Sequence, residues 1–195
     1  MLRQSFLPAD CLVPMSPALR TLALLPLAAT FAVGDAVPAL ANDRERQFFE
    51  QIEGEWSGPG EIVAGKYKGT KFICNFAGSV PEDKVGMTLD GNCRVGVFNQ
   101  EMSAKVERVK DSFRGTFMDG ADGKGLDVVG GAVKGEYAVF AIHRKALTGA
   151  MRAQLADKDT MNVTISVHVD EELIPVIGVT LKRIDARAVS AVTAN

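Results

Sequence analysis

The sequence predicts an all-β protein: a closed antiparallel up-and-down barrel of about 8–10 strands, entered through one short N-terminal helix. Three observations predict it. Apolar and polar residues alternate in segment after segment from Gly54 to Ile184, which is the period-two signature of half-buried strands. Turn chemistry punctuates these segments at short intervals, and no stretch after Gln51 has helical periodicity. A flat sheet of so many strands would leave unpaired edges exposed, and closure removes them.

Asn42 or Asp43 can cap a short helix running through Gln51, with Phe48, Phe49 and Ile52 on one side and Gly54 as its stop. Such a helix would cover one end of a barrel. The segment Gly54-Glu55-Trp56-Ser57-Gly58-Pro59-Gly60 holds the only tryptophan and reads as the first strand, with Trp56, Gly58, Gly60 and Ile62 inward. An ordinary core tryptophan of a β-sandwich is the alternative reading. Lys68 to Gly78 follows as a strand with Phe72, Cys74 and Phe76 on one face. After the turn at Pro81-Glu82-Asp83-Lys84, the next strand sets Val85, Met87, Leu89, Cys93, Val95 and Val97 against Thr88, Asp90, Asn92 and Arg94.

A hairpin turning between Asp83 and Lys84 places Cys74 opposite Cys93, both on apolar faces. Opposite residues of an antiparallel pair point the same way. A disulfide is therefore expected, with Cα atoms roughly 5.5 Å apart. The meander continues through Met102, Ala104 and Val106, then Phe113, Gly115 and Phe117. A glycine-rich turn at 119–125 leads to strands over Leu126–Val133 and Glu136–Arg144. Further strands carry Met151, Ala153 and Leu155, then Met161 to Val169, and finally Ile174–Ile184. Residues 185–195 read as a loose tail.

The N-terminus reads as an export signal, residues 1–41. Arg20 precedes an apolar run from Thr21 to Val33 that is too short to span a bilayer, and Ala39-Leu40-Ala41 has the small-x-small form of a cleavage site. Met15 begins a signal of ordinary length and is the expected true start. Cys11 precedes the apolar core and is no lipoprotein cysteine. Its removal leaves Cys74 and Cys93, an even pair suited to an oxidising compartment, so a periplasmic or secreted location is expected. Two thiols with no nearby histidine cannot supply a zinc site.

The 195 residues are 47% hydrophobic, and 22 basic residues nearly balance 24 acidic ones. No clustered basic face suggests nucleic acid. No membrane span is expected after processing.

The short helix, the Gly-x-Trp opening at Gly54–Trp56 and the meander that follows resemble the calycin superfamily of lipocalins, avidins and ten-stranded nitrobindin-like barrels. The form Gly54-Glu-Trp-Ser-Gly-Pro-Gly60 is most similar to the nitrobindin-type opening. The resemblance implies a basic residue packed across Trp56, and Arg183 fits, because it shares a face with Ile177, Val179 and Leu181. Bacterial metalloprotease-inhibitor barrels are also similar but shorter, with a further tryptophan that this chain lacks. Nitrobindin-like barrels hold haem through an inner-wall histidine. Here His168 shares its face with Asn162, Thr164 and Ser166 and should face solvent, while the strand bearing His143 is ambiguous. No cofactor, haem included, and no metal are therefore expected.

Asp122-Gly-Lys-Gly-Leu-Asp127 loosely echoes a calcium repeat, but it stands alone and reads as a hairpin loop. No nucleophile elbow, zinc-protease motif or phosphate loop occurs, so no enzyme is expected and no catalytic residue is assigned. The candidate cavity wall is Trp56, Phe72, Phe76, Met87, Met102, Phe113, Phe117, Phe140 and Arg183, joined by Met151 and Leu181. Two readings of that wall stay open: it encloses a small apolar ligand, or its aromatics fill the barrel and the protein binds an envelope partner or a protease through its loops.

Overall fold

The computed structural model describes residues 37–118 and 126–184. The expected signal, the loop at 119–125 and the tail at 185–195 lie outside the described residues. One helix, α1 (Val37–Ile52), precedes ten strands: β1 (Gly54–Ile62), β2 (Lys71–Ser79), β3 (Gly86–Val95), β4 (Phe98–Val109), β5 (Ser112–Met118), β6 (Leu126–Lys134), β7 (Tyr137–Arg144), β8 (Leu147–Asp157), β9 (Thr160–Val169) and β10 (Glu172–Arg183). Each strand pairs antiparallel with its sequence neighbours, and β1 pairs with β10 to close the barrel. The sandwich alternative for Trp56 is thereby excluded.

The helix starts earlier than a cap at Asn42 or Asp43 would allow. Pro38 falls in its first turn, where a missing N–H costs nothing, and Ala39-Leu40-Ala41 are strong helix formers that carry it on. Gly54 ends it at φ 110°, a conformation that residues bearing a Cβ rarely adopt.

The β2–β3 register pairs Cys74 with Cys93, and the two are bonded, as alternation and turn position require. Their Cα atoms stand 4.0 Å apart. That is closer than expected and nearer the ~4.5 Å of the narrow pairs in an antiparallel ladder.

One expected strand is divided. Val97 does not extend the cysteine strand, because Gly96, at φ 57°, turns the chain and Val95 pairs back onto Phe98. Two-residue turns at Lys110-Asp111, Lys145-Ala146 and Asp170-Glu171 likewise put their first residue at positive φ, matching the twist of the strands they join. Pro175, which cannot donate to a ladder, sits at a register shift of β10.

An antiparallel meander sends alternate connections to opposite ends. The β2–β3, β4–β5, β6–β7 and β8–β9 turns share one end with α1. The β1–β2, β3–β4, β7–β8 and β9–β10 connections form the other, here called the mouth.

Candidate functional site

At the helix end the interior is solid. Phe48, Phe49 and Ile52 enter the barrel from α1 and are buried with Trp56, Phe113, Phe140, Leu155, Met161 and Leu181. Phe48, Phe49, Phe113 and Phe140 form a chain of rings with successive centroids 5.6 Å apart, in tilted and edge-on contacts. Trp56 is 0% exposed, and its indole Nε1–H donates to the Ile52 carbonyl at 2.9 Å.

Arg183 locks this plug. Its guanidinium lies 4.3 Å from the Trp56 ring centroid, as the resemblance implied. Its Nη1 and Nη2 donate to the Glu53 and Gln51 carbonyls, each at 2.6 Å, and its Nε to the Lys158 carbonyl at 3.2 Å. Carbonyls at a helix C-terminus have no partner within the helix, and a cation there suits the dipole. Farther along α1, Glu45 pairs with Arg108 of β4, and Glu53 Oε1 accepts from the Val80 N–H at 3.1 Å.

Toward the mouth the wall changes character. Phe72, Met102, Ala104, Met151, Val163, Ile165 and Val179 share the inner face by register, yet each keeps part of its surface accessible, whereas Phe76, in register with Trp56, and Met87, which meets Gly78 beside the Ile52 carbonyl, pack against the plug. Phe117, Leu126 and Ile142 are buried beside Met102 and Ile165. Gly60 leaves room for the Phe72 ring, since a Cβ there would stand 2.2 Å from that ring's edge. The expected wall thus splits: Trp56, Phe113, Phe140 and Arg183 belong to the plug, Phe76 and Met87 pack beside it, and Phe72, Met102 and Phe117 line the wall above it.

Alternation alone did not single out Arg144. It follows Ile142 on the inner face as the last residue of β7, with Nε and Nη2 buried. The signal was available, since residues 138, 140, 142 and 144 share one parity.

Both histidines lie outside. His143 is in register with Asp127 and Thr148, on the face opposite Ile142, and exposed His168 pairs with Leu173. No cluster of three or more potential metal ligands occurs among the described residues. Two clefts mark the exterior. One of about 230 Å³ lies over Asn75, Asp90 and Asn92. A second of about 560 Å³ lies between α1 and the β8–β9 turn, bordered by Glu50, Glu136, Asp157 and Asp159. No helix among the described residues is long and apolar enough to cross a membrane.

Fold and interior together define a ten-stranded closed barrel, plugged by a helix at one end and lined with apolar side chains toward the other. The fold is similar to the crystal structure of Rv2717c from M. tuberculosis, with a TM-score of 0.53 and 12% sequence identity, over 72% of this chain and 98% of that one. At that identity the likeness concerns the fold alone. No protein-family model and no curated protein matches the sequence.

Proposed function

We propose that this protein is an exported, calycin-type barrel that holds a small apolar ligand in the mouth half of its interior. The observation that carries the reading is the contrast within one barrel. The plug residues below the helix are sealed, while Phe72, Met102, Met151 and Val163 face inward and keep accessible surface. Packed interiors leave few gaps, so inward apolar side chains with accessible surface support an unfilled volume. Methionine and phenylalanine offer contact area and adaptable shape without proton-transfer chemistry, so the role is binding and not catalysis. The Gly54–Trp56 opening and the Arg183–Trp56 stack support the calycin kinship. The leader before Asn42 and the Cys74–Cys93 bond support export.

Native mass spectrometry of protein purified from its own source tests the reading. A small apolar molecule should co-purify and dissociate on activation. Protein of bare mass that also takes up no apolar probe would overturn it in favour of a filled, protein-binding barrel. The same spectra report the mature N-terminus, expected at Asn42, and a retained leader would contradict export.

A further inference from the structure

The mouth carries apolar side chains where a soluble rim should be polar. Val97 is 90% exposed, Phe98 78% and Tyr67 63%, the three largest exposures among the large hydrophobic residues described. All three sit on two neighbouring connections. Val97 and Phe98 form the tip of the β3–β4 hairpin, and Tyr67 lies in the β1–β2 loop. Pairing of β2 with β3 holds these connections side by side on the rim.

Neither element is loose chain. The β1–β2 loop closes on itself, with the Lys68 N–H donating to the Gly65 carbonyl at 3.2 Å, Thr70 to Tyr67 at 3.1 Å and Gly69 to Ile62 at 2.7 Å. The hairpin tip is fixed by the left-handed Gly96. Both therefore present their apolar residues as built features of the fold, and exposed apolar side chains gathered on neighbouring connections mark an interaction site.

Charge identifies the partner. Residues 62–75 and 92–100 contain Lys66, Lys68, Lys71 and Arg94 and no acidic residue. Among the described residues, the acidic run Asp170, Glu171 and Glu172 stands on the β9–β10 connection instead, while Glu61, in register with Lys71, and Glu101, which accepts from Asn99, flank the patch. An aromatic residue flanked by lysines, next to an apolar hairpin tip, is the chemistry that anchors at a headgroup boundary. The rings and aliphatic groups enter the acyl edge while the ammonium groups remain among the phosphates.

We infer that the β1–β2 and β3–β4 connections dock this barrel, mouth first, on an anionic lipid bilayer, tilted so that the acidic β9–β10 turn stays clear. The inference rests on the rim alone and not on the contents of the barrel.

Vesicle flotation of the purified protein tests it. Phosphatidylcholine–phosphatidylglycerol vesicles should carry the protein up, phosphatidylcholine vesicles much less, and added salt should release it. Val97→Ser with Phe98→Ser should lower partitioning by roughly ten-fold or more, and Lys66→Gln or Lys68→Gln by about five-fold each. These positions are exposed turn residues, so the variants should keep the parent's melting temperature and its uptake of an apolar probe. Failure of the unaltered protein to float with anionic vesicles would overturn the inference. So would partitioning indifferent to all four substitutions. Sedimentation velocity is the companion measurement: a dimer that Val97→Ser with Phe98→Ser dissolves would assign the patch to a second copy and contradict the lipid reading.

Discussion

Arg183 joins the last strand, the only tryptophan and the end of the helix through one side chain. Three carbonyls accept from its guanidinium, and the Trp56 ring lies beneath it. Arg183→Ala would leave those carbonyls and the ring without their cation, at a cost of about 2–4 kcal/mol. Arg183→Lys should recover only part of that, because an ammonium cannot reproduce the planar fork. Urea unfolding followed by Trp56 fluorescence measures both, and a lysine variant as stable as the parent would contradict this role. The cysteines belong to the same scale. Their separation of 19 residues suggests about 3 kcal/mol from closing the loop, so reduction should lower the melting temperature and leave the barrel folded. In denatured, unreduced protein, neither Cys74 nor Cys93 should take up a thiol label. This pairing was legible in the sequence because strict alternation and a short turn let the register be counted. Arg183 was found because the resemblance implied a basic residue across Trp56, and its shared face with Leu181 fitted that place. The three backbone acceptors around it were not legible, since they belong to segments distant in the chain.

Elements show where such reading stops. The β3–β4 turn was missed because Val95, Val97 and Phe98 continue an apolar pattern where turn residues are ordinarily polar, leaving Gly96 as its only mark. The same apolar character carries the docking surface inferred above. The start of α1 was missed because Val37 to Ala41 also fits the end of an export signal, and one composition serves both readings. On β4, Glu107 lies 2.7 Å from the Lys105 ammonium of the same strand and 3.2 Å from that of Lys84 in the β2–β3 turn. Hydrogen bonds from Lys105 first and Lys84 second hold its carboxyl below the usual carboxylate range. A carboxylate whose value is lower folded than unfolded contributes above its unfolded value, near pH ~4.3, and loses that contribution as pH falls through the folded value. Glu107→Gln should therefore trim stability by no more than a few tenths of a kcal/mol at neutral pH, because the pair is partly exposed. The difference from the parent should vanish in acid. A gap that persists in acid, where the carboxyl is protonated in both states, would point to a packing role instead.

At the scale of the whole molecule, the closed order was legible because each alternating segment has one apolar face and no segment is left for an edge. The division of the interior was not. Alternation says which way a side chain points, but only packing says whether the space it points into is filled. Phe113 and Met102 look alike in sequence, yet one lies sealed under α1 and the other keeps accessible surface. The outward faces of His143 and His168 bear on the cofactor expectation. Haem added to the protein should give no sharp Soret band, and a band abolished by His143→Ala would contradict that register. The most direct test of the central claim is titration with an apolar fluorescent probe, comparing the parent with Ala104→Phe. Ala104 faces inward between Leu89 and Phe117, so the larger ring would occupy the proposed ligand volume. Saturable uptake by the parent, lost or weakened at least ten-fold in Ala104→Phe with the fold retained, is the predicted result. No uptake by the parent, or equal uptake by both proteins, would contradict a ligand-holding interior.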